Sequence, residues 1–516
     1  MNKGIIFIGI FTVLVLSIIM GLSFIPEPDQ EEVEVLVETP QEDTRDLDKE
    51  QFCGFGDAKA TKYIKEYMIP TECSQPLAIT TSPDGDVWFA QSNTGNLGKF
   101  DPDTESFSVF HNNFWPRGDE SMIWGLAYST NDTLWFTDDY HNSVWKFDIQ
   151  NKEYYRLPYE FTENSLPQRI QAFDSRIIVN DFTGNQIVYF DNIDSVEDIV
   201  TYSLPSNAPD SVVGDFTMDS QNNLWYTNWI LGTGGILAKI NQTSFDLSIQ
   251  NDDQRIEFFM YDLPLDLKTP NGIVHDESGN IWLADSSTSF FSKYDPISGN
   301  FTKYVTSDPS PSTFGNFTGK IETAESRPYW MEEFSGIIAF NEQGANRIGV
   351  FNPSEESLIE YTIPSQNPHW GDCRNEENCG ISAAFDLTSD GDKIWFTEWA
   401  ENKIGVLDTS ILLPFEIQLE PKVISLSPGE FKSFDLVITP NYENNSEAEL
   451  ITKNIYFVDN ISISNLPEKI QINSEVISIP VTIFSSESTN PGNYKVLFGA
   501  KTDQISISNF VTIIIE

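Results

Sequence analysis

The chain has 516 residues, 30 of them basic and 78 acidic, for a formal net charge of −48. A surplus of carboxylates this large repels phosphate backbones and excludes nucleic acid as a partner. It suits either a self-repelling soluble surface or a face with affinity for cations.

Residues 5 to 25 form an apolar run after Lys3, long enough to cross a bilayer. Lys3 is the nearby basic residue, and Glu27, Asp29, Glu31 and Glu32 follow the run. This charge bias places the N-terminus in the cytoplasm and the rest outside. Residues 1–26 therefore read as a single-pass membrane anchor. Cleavage near Gly21-Leu22-Ser23 would make them a signal peptide instead. Residues 27–60, rich in Pro, Glu and Asp, read as a disordered acidic stalk. An exported chain keeps disulfides. The four cysteines allow three pairings, of which Cys53–Cys73 and Cys373–Cys379 are expected. Six Asn-x-Ser/Thr sequons (Asn131, Asn241, Asn300, Asn316, Asn444, Asn460) fit the outside location.

From residue 61 a pattern repeats. Trp395-Phe396-Thr397-Glu398 leads to Asp408, Trp88-Phe89-Ala90-Gln91 to Asp101, and Trp135-Phe136-Thr137-Asp138 to Asp148. Ile178 to Asp181, Trp282 to Asp285 and Ala339 to Glu342 begin similar copies, and Trp225 to Asn228 begins one with three extra residues. Seven copies of one supersecondary unit mean a repeat architecture. In the first copy, Leu77–Thr81, Val87–Gln91, Leu97–Phe100 and Ser106–His111 read as four strands joined by turns such as Pro83-Asp84-Gly85. Residues 61–413 are thus expected to form an all-β, seven-bladed β-propeller. The Trp positions are expected to fill the gaps between blades. The seventh copy lacks a fourth strand, and Lys62–Pro70 is expected to supply it. Residues 414–516, with short alternating strands and a Pro491-Gly492 turn, suggest an appended immunoglobulin-like β-sandwich acting as a spacer or interaction module.

Antiparallel connectivity gathers the end of each second strand and each inter-blade loop on one rim. The fourth motif residues lie there: Gln91, Asp138, Asp181, Asn228, Asp285, Glu342 and Glu398. Converging carboxylates call for hydration, protonation or a cation. They read either as a hard-cation site for Mg²⁺ or Ca²⁺, with Asp138, Asp181, Asp285, Glu342 and Glu398 as ligands, or as side chains capping backbone N–H groups. The loops add His111, Trp115, Arg117 and Trp124; Gln168 and Arg169; Arg327, Tyr329 and Trp330; and His369, Trp370, Asp372 and Arg374. Aromatics and cations around an acidic well suit a binding face. His111, His141 and His369 are the possible general bases, while His275, inside a strand, reads as a core residue.

Pro270-Asn271-Gly272-Ile273, Trp395-Phe396-Thr397-Glu398 and Asn402-Lys403-Ile404-Gly405 resemble the virginiamycin B (streptogramin B) lyase family of propellers. The resemblance implies elimination that opens a cyclic depsipeptide, with a His as base and Mg²⁺ held near Glu residues. It places that His 11 residues before the Trp position and a Glu 14 residues after the His. The matching positions here are Leu77, Trp124, Pro167, Ser211, Asn271 and Pro328, and none is His. An extra residue blurs the count in the seventh copy. Glu342 and Glu398 retain the Glu half.

Together these readings make His369 and Glu398 the catalytic candidates and Trp124, Arg169, Asn271, Tyr329 and Trp370 the ligand contacts. The expected function is a membrane-anchored, extracytoplasmic lyase-like propeller that binds a ligand on its acidic rim, with or without a divalent cation. The alternatives are an active lyase or lactone hydrolase and a surface adhesion propeller. The expected partners are the membrane and a small molecule, glycan or surface protein.

Overall fold

Alternating apolar residues bounded by Asp, Asn and Gly turns dictate short antiparallel strands, and each repeat folds as a four-stranded meander. The computed structural model describes residues 51–516 apart from 116–121, 160–164, 174, 207, 209, 231–233, 252–254, 321–323, 375–377, 444–445 and 455–460. The expected anchor, the stalk up to residue 50, Arg117, and the sequons Asn444 and Asn460 lie outside the described residues. Among the described residues no helix is long and apolar enough to cross a membrane.

The innermost strands of the seven meanders are Pro76–Thr81, Leu126–Ser129, Pro167–Phe173, Val212–Met218, Pro270–His275, Pro328–Phe334 and Ala384–Asp390. We number the sheets one to seven in that order. The inner strand of sheet seven packs against that of sheet one, so the series closes on itself. Ile64–Met68 supplies the outer strand of sheet seven, pairing from Ile64↔Leu407 to Met68↔Lys403. The expected closure by the front of the chain is therefore present. Both expected disulfides are formed, Cys53–Cys73 and Cys373–Cys379.

The motif tryptophans are packing residues. Trp88, Trp135, Trp225, Trp282 and Trp395 are all buried. Trp225 and Trp282 each donate through Nε1 at 2.8 Å, to Asp219 and Asp276. Lys239 and Lys293 lie over their rings at 5.2 and 6.0 Å, a favourable cation–π arrangement.

The third motif residue has a role that sequence reasoning missed. Six inner strands carry a register shift after their first or second pair. Such bulges leave backbone groups outside the ladder. Thr397 Oγ1 accepts from Asp386 N at 3.2 Å and donates to Leu77 O of sheet one at 3.0 Å. Thr137 does the same between Gly125 N and Gln168 O. Asn180 accepts from Arg169 N and donates to Val213 O and Gly214 O of sheet four. Asn341 accepts from Trp330 N at 3.0 Å and donates to Ala384 O and Phe385 O at 2.6 and 2.9 Å. Thr227 donates to Pro270 O at 2.8 Å. In sheets three, six and seven these buried side chains satisfy the sheet's own bulge and pin it to the next; Thr137 of sheet two makes the same link without a register shift, and Thr227 makes only the link to the next sheet.

Three expectations need correction. Residues 51–60 are not part of a disordered stalk: Phe52 packs edge-on to Trp370 and Trp399, and Lys59 N donates to Glu66 at 2.8 Å. Sheet four holds an unforeseen helix, Gln242–Gln250, capped by the Asn241 side chain, and its Phe245 stacks on Tyr189. The C-terminal region, expected as an appended sandwich, is continuous with sheet six. Its last strand, Ile505–Ile515, pairs with the outer strand of sheet six from Tyr361↔Ile505 to Ser357↔Asn509, and one sheet runs continuously from sheet six into the C-terminal unit.

Replacing Asn341 by Ala strands one N–H and two carbonyls in the interior. Each buried unsatisfied group costs about 1–3 kcal/mol, so Asn341→Ala is expected to lower the urea midpoint clearly at unchanged m value. A midpoint equal to wild type would remove the stitching role.

Candidate functional site

Bulges re-aim side chains, and here they aim them inward. The residues within the register shifts include Arg169 of sheet three, Asp215 of sheet four, Tyr329 and Trp330 of sheet six, and Phe385 and Asp386 of sheet seven. Contacts form between sheets that are not neighbours in the ring. Arg169 Nη1 lies 2.8 Å from Asp386 Oδ1, and its Nε lies 3.6 Å from Asp215 Oδ1. Its guanidinium stacks 4.6 Å from the Trp330 ring. Trp124 meets Trp330 and Phe385 edge-on at 6.2 and 5.9 Å, and its Nε1 donates to Asp139 at 3.0 Å. Tyr329 packs on Trp330 at 4.9 Å and on Phe385 at 5.9 Å. An aromatic layer and an ion-pair layer thus close the centre of the ring.

Glu332, from the same inner strand as Trp330, completes the polar layer. Its Oε1 accepts from Ser389 N at 2.9 Å and from Ser389 Oγ at 2.6 Å. Loss of hydration pushes Glu332 up to about 7, with repulsion from Asp386 adding to it against the Ser389 bonds and Arg169. Desolvation pushes Asp215 up to about 6 against the pull of Arg169, and Asp386 is raised for the same reason. Three carboxyl groups share one guanidinium. Perturbed titratable groups converging in one place are the physical signature of a functional site.

Of the expected ligand contacts, Trp124, Arg169 and Tyr329 come together here. Trp370 joins at the edge, 5.0 Å from Trp399, which itself packs on Phe385 at 5.6 Å. Asn271 stands apart in sheet five, donating to Ser286 Oγ at 3.0 Å. His369 sits in the short 3-10 turn Pro368–Trp370, where its N donates to Asn367 Oδ1 at 3.0 Å. Asp215, Glu332 and Asp386 were missed, although a charge inside an apolar strand, as in Ala384-Phe385-Asp386-Leu387, was a readable signal.

Of the two readings left open for the rim carboxylates, local contacts favour capping. Among the described residues no three His, Cys, Asp or Glu side chains are placed to hold a metal. Asp181 accepts from Leu166 N, Gly184 N and Gln186 Nε2, and Asp285 from Lys268 N, Thr269 N and Ser287 N. Asp138 faces His141 Nδ1 and Trp145 Nε1, both at 2.9 Å. Glu342 takes Arg347 at 2.6 Å. Backbone caps and local partners use these carboxylates, because a strand end leaves N–H groups that nothing else satisfies.

Glu398 differs. It is fully buried and both its oxygens lack a hydrogen-bond partner. Burial, then repulsion from Glu66, holds it well above the usual carboxylate range. The nearby Lys403 ammonium is taken by Glu401 at 2.8 Å and Ser365 at 2.7 Å. A cation already stands within this group, so the residues do not fit a divalent-metal cradle. The register narrows the blurred seventh copy: Ala384 lies opposite Glu398 and Phe385 follows it, and neither is the His that the family pattern calls for.

The fold and this axial cluster define a β-propeller. Its kind is virginiamycin B lyase-like, for residues 54–292 match the model of the Virginiamycin B lyase family. The virginiamycin B lyase from Staphylococcus aureus superposes with a TM-score of 0.51 at 19% identity, covering 68% of this chain and 99% of that one. A streptogramin B lyase structure gives 0.51 at 21% identity, covering 67% and 97%. A catalytically inactive variant of the Staphylococcus aureus enzyme with quinupristin gives 0.50 at 19%, covering 68% and 99%. At these identities the likeness establishes the fold. No curated protein matches the chain.

Because Asp215 and Glu332 titrate higher folded than unfolded, the native state holds the extra protons. Their contribution to stability is present below the ordinary carboxylate values and is lost as pH rises through about 6 to 7. Glu332→Gln is therefore expected to flatten the fall in urea midpoint across that window. An unchanged pH slope would show that Glu332 is ionised throughout.

Proposed function

We propose that this chain is a seven-bladed, lyase-like propeller that binds an organic ligand on its axial face without catalysing the family's elimination. One observation carries the reading. Trp124, Arg169, Asp215, Tyr329, Glu332 and Asp386 converge from sheets two, three, four, six and seven, while neither Ala384 nor Phe385, the residues at the matching place in the seventh copy, is a base. Aromatic faces and edges supply contact area, and the partly desolvated Arg169 and Glu332 supply orientation. Elimination needs a base within reach of the proton it removes, and neither alanine nor phenylalanine offers one. The ligand class is a cyclic or ring-bearing small molecule or a glycan.

One feature favours a catalytic alternative. His141 Nδ1 lies 2.9 Å from both oxygens of Asp138, a pairing that fixes the imidazole tautomer as in a general-base dyad. On that reading His141, on the rim of sheet two, replaces the missing base, and the enzyme is a lyase or lactone hydrolase.

The C-terminal unit is read as an immunoglobulin-like module, and residues 1–26 as the membrane anchor that holds both outside the cytoplasm. Two formed disulfides and the acidic surface support that location.

A streptogramin B depsipeptide added to the full-length protein is expected to change tryptophan fluorescence saturably. Mass spectrometry is expected to recover it unopened, and Tyr329→Ala to abolish the fluorescence change. Ring opening that is lost in His141→Ala would replace this reading with the catalytic one. Calorimetric titration of Ca²⁺ or Mg²⁺ is expected to give weak, many-site, salt-sensitive heats. A tight single site would restore the cation reading of the rim.

A further inference from the structure

Three buried or half-buried arginines of this acidic protein hold carboxylates: Arg169 with Asp215 and Asp386, Arg176 with Asp191 and Asp246, Arg347 with Glu342 and Glu360. Arg327 does not. Among the described residues no carboxylate lies within ion-pair distance of its guanidinium and no acceptor takes its N–H groups. In a chain of net charge −48, a desolvated cation without an ion-pair partner among the described residues calls for a reason.

Its setting is built. Arg327 N donates to Thr288 O of sheet five at 3.0 Å, and Gln343 N of sheet six donates to Arg327 O at 3.2 Å. Gly344 N donates to Ser326 O at 2.9 Å. The residue is therefore fastened at the crevice between sheets five and six, two positions before Tyr329. Its φ is +59°, a conformation costly for any side chain but glycine's. A Cβ on Gly344 would come within 3.4 Å of Arg327 Cδ and 2.2 Å of Glu325 O, so the arginine stem passes over a glycine. The neighbouring acid, Glu325, is engaged through Oε2 with Ser289 Oγ. Beside Arg327, Gln343 is only 7% exposed, and its Nε2 is buried without an acceptor. Burial lowers the Arg327 guanidinium to about 10 against the pull of Glu325, a desolvation that no ion pair among the described residues offsets.

We propose that Arg327 and the Gln343 amide form an anion subsite in this crevice, which receives the carboxylate of a ligand lying on the axial face. Both groups are donors, both lack acceptors among the described residues, and a planar carboxylate matches a guanidinium fork. The subsite rests on the reading of this face as the ligand face for where the rest of the ligand lies, while anion binding is testable alone.

The test uses the full-length protein labelled with [15N]arginine and titrated with acetate at constant ionic strength. The Arg327 Nε–H resonance, assigned by its loss in Arg327→Lys, is expected to shift saturably while the other arginines stay still. Gln343→Leu, a buried site that keeps the backbone bonds, is expected to weaken acetate by about tenfold, the worth of one hydrogen bond to a charged group. A linear shift shared by all arginines, or equal affinity in Gln343→Leu, would overturn the subsite. Tighter binding of inorganic phosphate than of acetate would overturn the carboxylate assignment. Depsipeptide quenching of tryptophan fluorescence is recorded on the same samples. If quenching persists without an acetate site, the subsite alone fails. If acetate binds without quenching, the axial-face ligand fails and the subsite stands.

Discussion

The structure depends on the way each inner strand's bulge is satisfied. A bulge frees an N–H and one or two carbonyls in the middle of a protein, and each is costly if left alone. Thr137, Asn180, Asn341 and Thr397 answer that need twice over, accepting from their own sheet and donating to the next. Thr227 donates to the next sheet alone. Ala90 and Ala284 stand at the same position in sheets one and five and cannot. Wherever the side chain is Thr or Asn, the neighbouring sheets are stitched by hydrogen bonds as well as by buried rings.

The same bulges create the site. Residues displaced from the ladder no longer alternate between the two faces of a sheet, and Arg169, Asp215, Trp330 and Asp386 project to where sheets on opposite sides of the ring meet. Fold and function therefore share one device. Its consequence is electrostatic: three carboxyl groups near one guanidinium in a poorly hydrated centre cannot all ionise freely, and Asp215, Glu332 and Asp386 are all shifted upward. At the outer layer of sheets six and seven the pattern recurs. Arg347 lies between Glu342 and Glu360, and Lys403 between Glu66 and Glu401. Backbone N–H groups of Ser307 and Ser365 cap Glu360 and Glu66 at 2.8 Å each.

The edges of the sheets explain the chain's ends. An outer strand with free N–H and C=O groups invites pairing. Sheet seven takes its outer strand from Ile64–Met68, and the outer strand of sheet six is covered by Ile505–Ile515. Tyr304 of sheet five packs against Phe510 at 5.1 Å, and Lys495 reaches Glu356 at 2.5 Å. The C-terminal unit is therefore an extension of the ring's sheet with a shared apolar core, including Tyr63, Tyr361, Ile505 and Ile507.

Strand periodicity, turn residues and the Trp motif made the repeating sheets, the closing strand and both disulfides legible in the sequence, because these follow from local chemistry and short spacings. Trp124, Arg169 and Tyr329 were legible as a class, aromatics and cations in loops of one rim. Asp215, Glu332 and Asp386 were legible only as charges inside apolar strands, since a bulge shifts a side chain across the pleat and only tertiary pairing places the bulge. The rim carboxylates misled for a related reason: sequence counts them on one face but cannot show that backbone N–H groups of their own sheets reach them first. By itself, then, the sequence determined what each repeat would become. The tertiary structure alone decided which charges meet at the axis, which are capped, and that Arg327 is left unpaired, because those outcomes depend on contacts between strands tens to hundreds of residues apart.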